Sequence, residues 1–401
     1  MRRTTALGPV ACFAALGTFW GSWAALIPAL KVQAGASDGE FGGAMLLSGV
    51  GAIVAMLIVG RLWRHVGWYL LPITGLAFAL AILGLPLATS TATLALALFF
   101  VGAGSGSLDV AMNAAVSDIE VRSGGRLMYG AHALFSLGVL IAAVVTGLAR
   151  QAGAGPWPIL GTVALLIGLI AISTIGSARG NGRPTAQPPT TTISGESSRS
   201  AAIFAGLTAI AVICALGYLI EDASQNWSAL HLERSLGASP ALGGAAPGIF
   251  AGAMFIGRSL GQRLGARFSE RSLFTSGAAL AAIGLAILTL APTPMIALAG
   301  LAGAGAGLAL VAPALYGRAG REATAENRGA AIARLTVFGY TGFIVGPALI
   351  GFISQAVSLR AGIATLAVLA VGLAVGGWFV LRGQPQATFE EGEELLKTGR
   401  A

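Results

Sequence analysis

Apolar segments of about 20 residues recur along the chain from one end to the other, separated by short polar stretches. A continuous apolar segment of that length spans the hydrocarbon core of a bilayer as a helix that satisfies its own backbone hydrogen bonds. Only 10% of the 401 residues are charged, whereas a soluble domain carries about 25%. The sequence therefore predicts an all-α membrane protein.

The apolar segments predict twelve membrane helices, six on each side of a polar stretch at residues 179–200. That stretch is rich in Pro, Thr, Ser and Gly, which is typical of a mobile linker. The predicted domains are two six-helix halves at 1–178 and 201–382, the cytoplasmic linker between them, and a polar tail at 383–401. The predicted helices cover residues 8–30, 40–62, 67–88, 92–118, 126–152, 157–178, 201–230, 240–264, 270–290, 294–317, 327–354 and 359–382.

Short motifs recur between the two predicted halves at a spacing of about 200 positions. The second helix ends on Gly60-Arg61, and the eighth ends on the similar pair Gly257-Arg258. The glycines of the fourth helix also correspond to glycines of the tenth, namely Gly102, Gly104 and Gly106 to Gly303, Gly305 and Gly307. These matches predict a duplicated six-helix unit, which is the plan of one class of secondary transporters with a site near the bilayer midplane.

Basic residues are distributed unevenly between the two sides of the predicted membrane domain. If the N-terminus is cytoplasmic, only four of the 24 Lys and Arg residues fall outside, at Lys31, Arg150, Arg234 and Arg360. Because positive charge is retained in cytoplasmic loops, both termini are predicted to be cytoplasmic, with the protein in a bacterial inner membrane. The net charge of +8 thus reflects membrane topology, and we expect no nucleic-acid partner.

Three of the sixteen acidic residues lie inside predicted membrane helices and away from the helix ends: Asp109, Glu221 and Asp222. A charged group at mid-bilayer costs at least about 2.5 kcal/mol and normally faces a polar interior. Arg258 is placed near a cytoplasmic helix end, so the sequence predicts no ion-pair partner for these acids. A carboxyl group buried in that way can bind and release a proton, and we interpret Glu221 and Asp109 as proton-coupling residues. Asp222 lies about 100° round the helix from Glu221, so three positions are open for it: lining the same cavity, lying near the outer interface, or bonding to the backbone.

Polar residues accompany these acids along the same helix faces. The stripe on the seventh helix contains Glu221, Ser224, Gln225 and Ser228, and that on the fourth contains Asp109, Asn113 and Ser117. Such a stripe lines a water-filled cavity or joins two helices, and both interpretations are open. The candidate solute-binding residues are Trp20, Trp23, Asn113, His132, Gln225, Asn226 and Trp227. Aromatic rings suit sugars and flat organic solutes, although core packing also explains the tryptophans.

Four motifs resemble those of one transporter family. They are LDVAMN at 108–113, HALFSLG at 132–138, EDASQNWSALHL at 221–232 and GYTGFIVGP at 339–347. Together they resemble the fucose-permease-like, YbjJ-type branch of the major facilitator superfamily. The resemblance implies a twelve-helix fold of two pseudo-symmetric halves that rock about a central site. It also implies transport of a small organic solute, most often with protons.

The chain departs from that family pattern in the loop between the second and third helices. The family motif GxLaDrxG corresponds to the stretch from Gly60 and Arg61 to Gly67, in which Arg64 takes the place of the acid. The two glycines still allow close helix packing. The resemblance makes these residues, together with Gly257 and Arg258 of the second half, candidates for conformational gating. The second copy also has Gln262 in place of Asp, and Asn226 replaces the usual Asp before Trp227.

The leading interpretation is proton-coupled symport of a small polar, sugar-like solute. The alternative is a proton-driven exporter of drugs or metabolites, which usually carries GxxxGP in the fifth helix. In this chain that pattern falls instead in the eleventh helix, at Gly342 to Pro347. A sensor with the same fold, binding a ligand without moving it, is a third possibility.

Other classes of protein are not supported by the sequence. The GxSxG match at 257–261 ends a membrane helix, whereas a hydrolase needs a strand-to-helix elbow there. The chain has no phosphate-binding loop and no metal-ligand spacing. Cys12 and Cys214 lie in separate helices as small buried thiols, and we expect no disulfide. We therefore expect no enzyme activity and no cofactor; the expected partners are a small solute and the lipid bilayer, and the chain is expected to be a monomer.

Overall fold

The computed structural model describes residues 4–123, 127–181, 199–265, 267–322 and 328–382, and every regular element in these ranges is helical. The helices are α1 (Thr4–Gln33), α2 (Asp38–Val66), α3 (Leu70–Ile82), α4 (Thr91–Ser123), α5 (Met128–Gln151), α6 (Pro156–Asn181), α7 (Arg199–Leu236), α8 (Pro240–Leu264), α9 (Glu270–Leu290), α10 (Pro294–Leu308), α11 (Val311–Glu322), α12 (Arg328–Ala356) and α13 (Leu359–Val380). A 3₁₀ turn at Gly67–Tyr69 leads into α3. The prediction of an all-α membrane protein is confirmed.

The thirteen described helices form twelve membrane spans. Ten segments of the described chain are long and apolar enough to cross a membrane, and the segment Pro294–Ala319 contains both α10 and the beginning of α11. The other two spans are the shorter apolar stretch Gly67–Ile82 and α7, which carries two acids within the membrane. The helices α1–α6 form the first half, and α7–α13 form the second.

The largest differences from the predicted helix bounds lie away from the linker. The third predicted helix ends early, at Ile82, the fourth and seventh continue to Ser123 and Leu236, and the tenth is divided into α10 and α11. Next to the linker the differences are smaller. The first half continues helically to Asn181, and α7 begins at Arg199, inside the stretch that the sequence assigned to the linker. Residues 182–198 lie outside the described chain, and so does the predicted tail from residue 383. The domain bounds at 178, 200 and 382 therefore stay predictions.

Glycines set the spacing between helices. A Cβ atom at Gly102 of α4 would overlap the backbone of α2, and one at Gly104 would meet α3. In the second half, Gly305 of α10 meets the backbone of α8 in the same way, and Gly307 meets α9. The two halves therefore correspond as the repeat predicts, but the pairing of Gly102 with Gly303 is wrong by two positions. Glycine allows these close approaches because it has no side chain.

The two halves contact each other at one face of the membrane domain. We call it the Asp38 face, because α1 ends there and α2 begins there at Asp38; the terminal face is the opposite one, where α1 begins and α13 ends. Near the Asp38 face, Gly42 of α2 lies against Gly351 of α12. Gly147 of α5 lies against Gly244 of α8 on the other side of the bundle. At these two contacts the helices of the two halves pack closely toward the Asp38 face.

Candidate functional site

A cavity of about 300 Å³ lies between the two halves. It is formed by α1, α2, α4 and α5 of the first half and by α7 and α12 of the second. Its polar lining consists of Ser48, Ser105, Asp109, Glu221, Asp222, Gln225 and Asn226, and its aromatic lining of Trp20, Trp23, Phe135, Tyr340 and Phe343. A cavity of this size is at the lower end of the range for small-molecule sites. All three acids predicted within the membrane line it.

The cavity-facing side of α7 is turned from the one that the sequence indicated. Asp222 and Gln225 lie at its centre, so Asp222 lines the cavity and does not lie at an interface. Ser224 and Ser228 are fully buried elsewhere, and their hydroxyls donate to carbonyl oxygens of their own helix at 2.6 and 3.1 Å. Serine commonly makes such bonds within a membrane helix. Of the four residues in the predicted stripe, Glu221 and Gln225 line the cavity, and Ser224 and Ser228 do not.

Asp109 connects the cavity to both halves. Its backbone and side-chain oxygens accept hydrogen bonds from Asn113 Nδ2 at 2.8 and 3.1 Å. Asn113 does not line the cavity itself and holds the acid in place from one turn away. Tyr340 of α12 lies close to the Asp109 carboxylate, and His132 of α5 is near enough for its charge to act on it. Asp109 of α4 is thus close to a residue of the other half, and it also lines the cavity.

Glu221 has an ion-pair partner, and the prediction that it lacks one is wrong. Arg258 of α8 places Nη2 3.6 Å from Glu221 Oε1. The Glu221 side chain is 13% exposed and that of Arg258 is 44% exposed, so the arginine reaches inward from a more open position. A long arginine side chain can place its charge several ångströms from its own backbone position, which is why the helix position of Arg258 was misleading.

Three aromatic side chains cover the cavity toward the Asp38 face, and we call Trp23, Phe41 and Trp227 the aromatic roof. Trp23 stacks on Phe41 with ring centroids 6.2 Å apart, and Phe41 meets Trp227 edge-on at 5.9 Å. Trp23 Nε1 donates to Asn226 Oδ1 at 2.9 Å, which joins α1 to α7 across the halves. Trp227 Nε1 donates to the Pro347 carbonyl at 3.1 Å and does not line the cavity.

Above the roof, charged residues join the two halves at the Asp38 face. We call Asp38, Arg150, Glu233 and Arg234 the ionic latch. Asp38 of α2 accepts from Arg234 of α7, pairs with Lys31 Nζ at 2.9 Å, and accepts from the Ser354 hydroxyl. Arg150 of α5 makes a bidentate pair with Glu233 of α7 at 2.6 and 2.9 Å. Bidentate Arg–carboxylate pairs are strong and geometrically specific.

Sequence reasoning missed the ionic latch. It counted Lys31, Arg150 and Arg234 only as evidence for membrane topology. The available signal was that each of these rare basic residues has an acid nearby in the chain or at another helix end on the same face, at Asp38 or Glu233. A basic residue on the side of the membrane where positive charge is disfavoured indicates a specific interaction, such as an ion pair, at that position.

The remaining candidate residues do not line the cavity, although His132 is near enough for its charge to act on Asp109. His132 is exposed, with Nδ1 3.1 Å from the Met128 carbonyl and its ring 5.0 Å from that of Phe13. A Cβ atom at Gly60 would have no atom of another helix within 4 Å in the described chain, so Gly60 is not at a close helix contact in this conformation, and its gating role stays a prediction. Gly257 does pack closely, against the Ala306 carbonyl of α10. Arg61 is exposed at the end of α2, and the side chain of Arg64 lies outside the described part of the structure, as does that of Gln262.

The loop after α2 is held by an acid that the sequence did not single out. Gly67 adopts a φ of 62°, which favours glycine. The next residue, Trp68, donates from Nε1 to Asp118 of α4 at 2.9 Å, and Asp118 also pairs with Arg122 at 2.7 Å. Although an arginine replaces the usual acid of this loop, Asp118 anchors the loop to α4.

Within the described residues, no group of His, Cys, Asp and Glu side chains is arranged to hold a metal ion. Cys12 and Cys214 are buried free thiols in different halves. The groups that line the cavity are carboxyl groups, amide groups, hydroxyl groups and aromatic rings.

Comparisons with known proteins agree with this architecture. The family model for the Major Facilitator Superfamily matches residues 200–400. An uncharacterised MFS-type transporter of Yersinia pestis is 32% identical over 368 residues, which are 91% of this chain and 93% of that protein.

Two solved structures show the same fold. The nucleoside transporter NupG is similar with a TM-score of 0.74 at 13% identity, covering 95% of this chain and 100% of its own. A D-xylose–proton symporter is similar with a TM-score of 0.70 at 15% identity, covering 96% and 97%. At these identities the likeness concerns the fold alone. With the family match and the Yersinia relative, it leads to one conclusion: the chain belongs to the major facilitator superfamily and is a multi-pass membrane transporter, not an enzyme.

Proposed function

We propose that this transporter carries a small polar organic solute together with protons, by alternating access of its two halves. The observation that carries the proposal is the position of Asp109 and Glu221, which come from different halves and line one cavity. A carboxyl group at that depth can take up and release a proton as the cavity opens and closes. One of the proteins that share the fold is a D-xylose–proton symporter. Membership of the fucose-permease-like branch is part of the proposal.

The orientation follows from the charge distribution. We propose that the terminal face is cytoplasmic, because most of the basic residues lie toward it. The Asp38 face is then external, and the aromatic roof and the ionic latch close the cavity on that side. In this conformation the solute exchanges with the cytoplasm. Opening to the outside requires that Asp38 separate from Arg234 and that Arg150 separate from Glu233.

Glu221 is the proposed proton site because its surroundings can respond to its charge. When Glu221 is ionised it attracts Arg258, which lies 3.6 Å away. When Glu221 is protonated that attraction is lost, and Arg258 is free to turn toward the exposed side. The charge on one carboxyl group thus controls the contact between α7 and α8.

Asp109 is the second proposed coupling residue: Glu221 takes up the transported proton, and Asp109 couples the bound solute to the position of the two halves. Its interaction with Tyr340 joins α4 to α12 across the cavity. Gln225, Asn226 and Trp20 line the same space and are the proposed solute contacts. A solute bound among them competes with the Asp109–Tyr340 interaction, which couples occupancy of the cavity to the relative position of the halves.

Proton movement in proteoliposomes tests the proposal. Vesicles containing purified protein and a pH-sensitive dye are given sugars, nucleosides, small acids and lipophilic cations in turn. For symport, a transported solute acidifies the vesicle interior as it enters. The variant Glu221→Gln is expected to abolish acidification while retaining exchange of labelled solute for unlabelled solute. Glu40→Gln serves as the control, because Glu40 is an exposed acid outside the cavity.

Two outcomes oppose the proposal in different ways. If solute entry is accompanied by proton exit, the protein is an antiporter and the exporter alternative is correct. If Glu221→Gln acidifies the vesicles as the wild-type protein does, Glu221 is not the proton site.

A further inference from the structure

The cavity walls combine acidic and aromatic side chains. Three carboxyl groups and five aromatic rings line it, and none of its described lining residues is Lys, Arg or His. Resting on the transport function proposed above, we propose that the solute is a small organic cation, a hydroxylated amine, and not a neutral sugar or an anion.

The charges around the cavity favour a cationic solute. Arg258 pairs with Glu221 from outside the lining, and its side chain is 44% exposed. Among the ion pairs of the described side chains, none involves Asp109 or Asp222. The carboxyl groups of Asp109 and Asp222 therefore lie in a low-dielectric space where protons or a cationic solute can neutralise them. An anionic solute would face all three carboxyl groups at short range, which is strongly unfavourable in such a space.

The aromatic lining also favours a cationic solute, independently of the acids. Trp20, Tyr340 and Phe343 come from both halves and surround the same space. Phe343 is held by a stacked contact with Tyr218 at 4.5 Å, and Trp20 by an edge contact with Phe19 at 5.2 Å. Aromatic rings attract ammonium groups through their negative faces, and the attraction is strongest when water is excluded. A cavity that offers both rings and carboxyl groups is complementary to an amine.

The amide groups indicate what else the solute carries. The side chain of Gln225 lines the cavity and makes no hydrogen bond within the described structure, so its donor and acceptor remain available to a ligand. Asn226 also lines the cavity, with Oδ1 bound to Trp23 and Nδ2 bound to the Asp222 carbonyl. A free amide group in an otherwise apolar wall fits hydroxyl groups. The cavity volume of about 300 Å³ restricts the solute to a small molecule.

The acids divide between the proton and the solute. Glu221, with Arg258 beside it, is the group whose charge the protein itself can compensate. Asp222 and Asp109 form no ion pair among the described side chains, although His132 is near enough for its charge to act on Asp109, and both acids are assigned to the ammonium group. Because proton and cation then occupy different carboxyl groups, both can be bound at once, as symport requires. If they shared one carboxyl group, they would exclude each other.

Solutes of similar size and shape that differ in one charged group test the assignment. The first set is glucosamine, glucose and glucuronate, and the second is tyramine, tyrosol and 4-hydroxyphenylacetate. Binding to the detergent-purified protein is measured by calorimetry and by thermal shift at pH 7.5. We expect the amine of at least one set to bind about tenfold or more tightly than its neutral partner, and the anion to bind least.

Variants separate a charge effect from a folding effect. Asp222→Asn and Asp109→Asn keep the size of the side chain and are expected to reduce the amine-to-neutral preference severalfold or more. Affinity for the neutral partner should change little, which shows that the cavity is still formed. Glu40→Gln removes an acid outside the cavity and should retain the full preference.

Three results would overturn the inference. They are binding of neither amine, an amine that binds no more tightly than its neutral partner in both sets, and a preference that survives in both Asp→Asn variants. Each failure is distinct from failure of the transport proposal. If a neutral solute enters with protons, the cation assignment is wrong and the symport proposal stands. If an amine binds but is not transported, the cation assignment stands and the symport proposal is wrong.

Discussion

The ionic latch and the cavity use the same residue types in opposite ways. At the Asp38 face every acid of the latch is paired, Asp38 with Arg234 and Lys31, and Glu233 with Arg150. In the cavity, the described ion pairs include only Glu221, at the longer distance of 3.6 Å. Removing one partner of a buried pair leaves an uncompensated charge, whereas an acid without a partner is available to a ligand. The latch therefore stabilises one conformation, and the cavity supplies binding.

The largest expected effect is at Asp38. Asp38→Asn leaves the charges of Arg234 and Lys31 without their common partner. Breaking a buried pair from one side costs about 3–5 kcal/mol, and because Arg234 is 43% exposed we expect a loss nearer about 2 kcal/mol. The melting temperature in detergent should fall.

Asp222→Asn is the matched comparison for that experiment, since it neutralises an acid that has no described ion-pair partner. We expect its melting temperature to stay the same or to rise, because a buried charge without a partner is itself unfavourable. Equal losses in the two variants would show that ion pairing does not distinguish the acids of the latch from those of the cavity.

A smaller effect is expected from exchanging the charges of the bidentate pair. Arg150→Glu alone and Glu233→Arg alone each place like charges together and should lower the melting temperature and the transport rate. The double variant restores opposite charges and should recover part of both, with a coupling energy of about 0.5–3 kcal/mol.

Recovery will be incomplete because Arg150 also donates to the Ala25 carbonyl at 2.8 Å, which the exchanged glutamate cannot do. A double variant no better than the sum of the two single variants would mean that this pair does not hold the halves together.

The smallest expected effect concerns the aromatic roof. Trp23→Phe removes the hydrogen bond to Asn226 across the halves, which is worth about 1 kcal/mol. The population open at the Asp38 face should rise about fivefold. The measurement is the rate at which a cysteine at position 225, from Gln225→Cys, reacts with a membrane-impermeant maleimide outside right-side-out vesicles.

Trp227→Phe is the control for the roof. It also removes one indole hydrogen bond, but that bond reaches Pro347 of α12, in the same half as α7. The labelling rate should stay near that of the wild-type background. If both variants accelerate labelling equally, the effect comes from loosened packing and not from the bond between the halves.

The residues that the sequence could and could not place differ in a consistent way. Asp109 and Glu221 were placed in a central cavity because an acid within an apolar helix has few other places to lie. Gln225, Asn226, Trp20 and Trp23 also line that cavity. Asp222 was assigned less well because a helical stripe defines a face only to within about one residue, and the neighbouring helices decide which side of it opens onto the cavity.

Other assignments depended on side-chain reach and on distant contacts. Arg258 was judged by the position of its backbone, yet its guanidinium extends to Glu221. Gly60 was judged by a motif, yet a Cβ atom there would have no atom of another helix within 4 Å in the described chain. Trp227 was read as a solute contact, and the structure places it fully buried in the roof with its indole bound to Pro347.

By itself the sequence determined the membrane-spanning helices, the division into two similar halves and the depth of the acids. These properties depend on local hydropathy and on short repeats, which each stretch of chain carries independently of the others. Only the tertiary structure decided which acids are paired. Asp38 and Arg234 are 196 positions apart, and they meet because the glycine-lined contacts bring α2, α7 and α12 together. Ion pairs between distant helix ends depend on that packing, and no local pattern of residues encodes them.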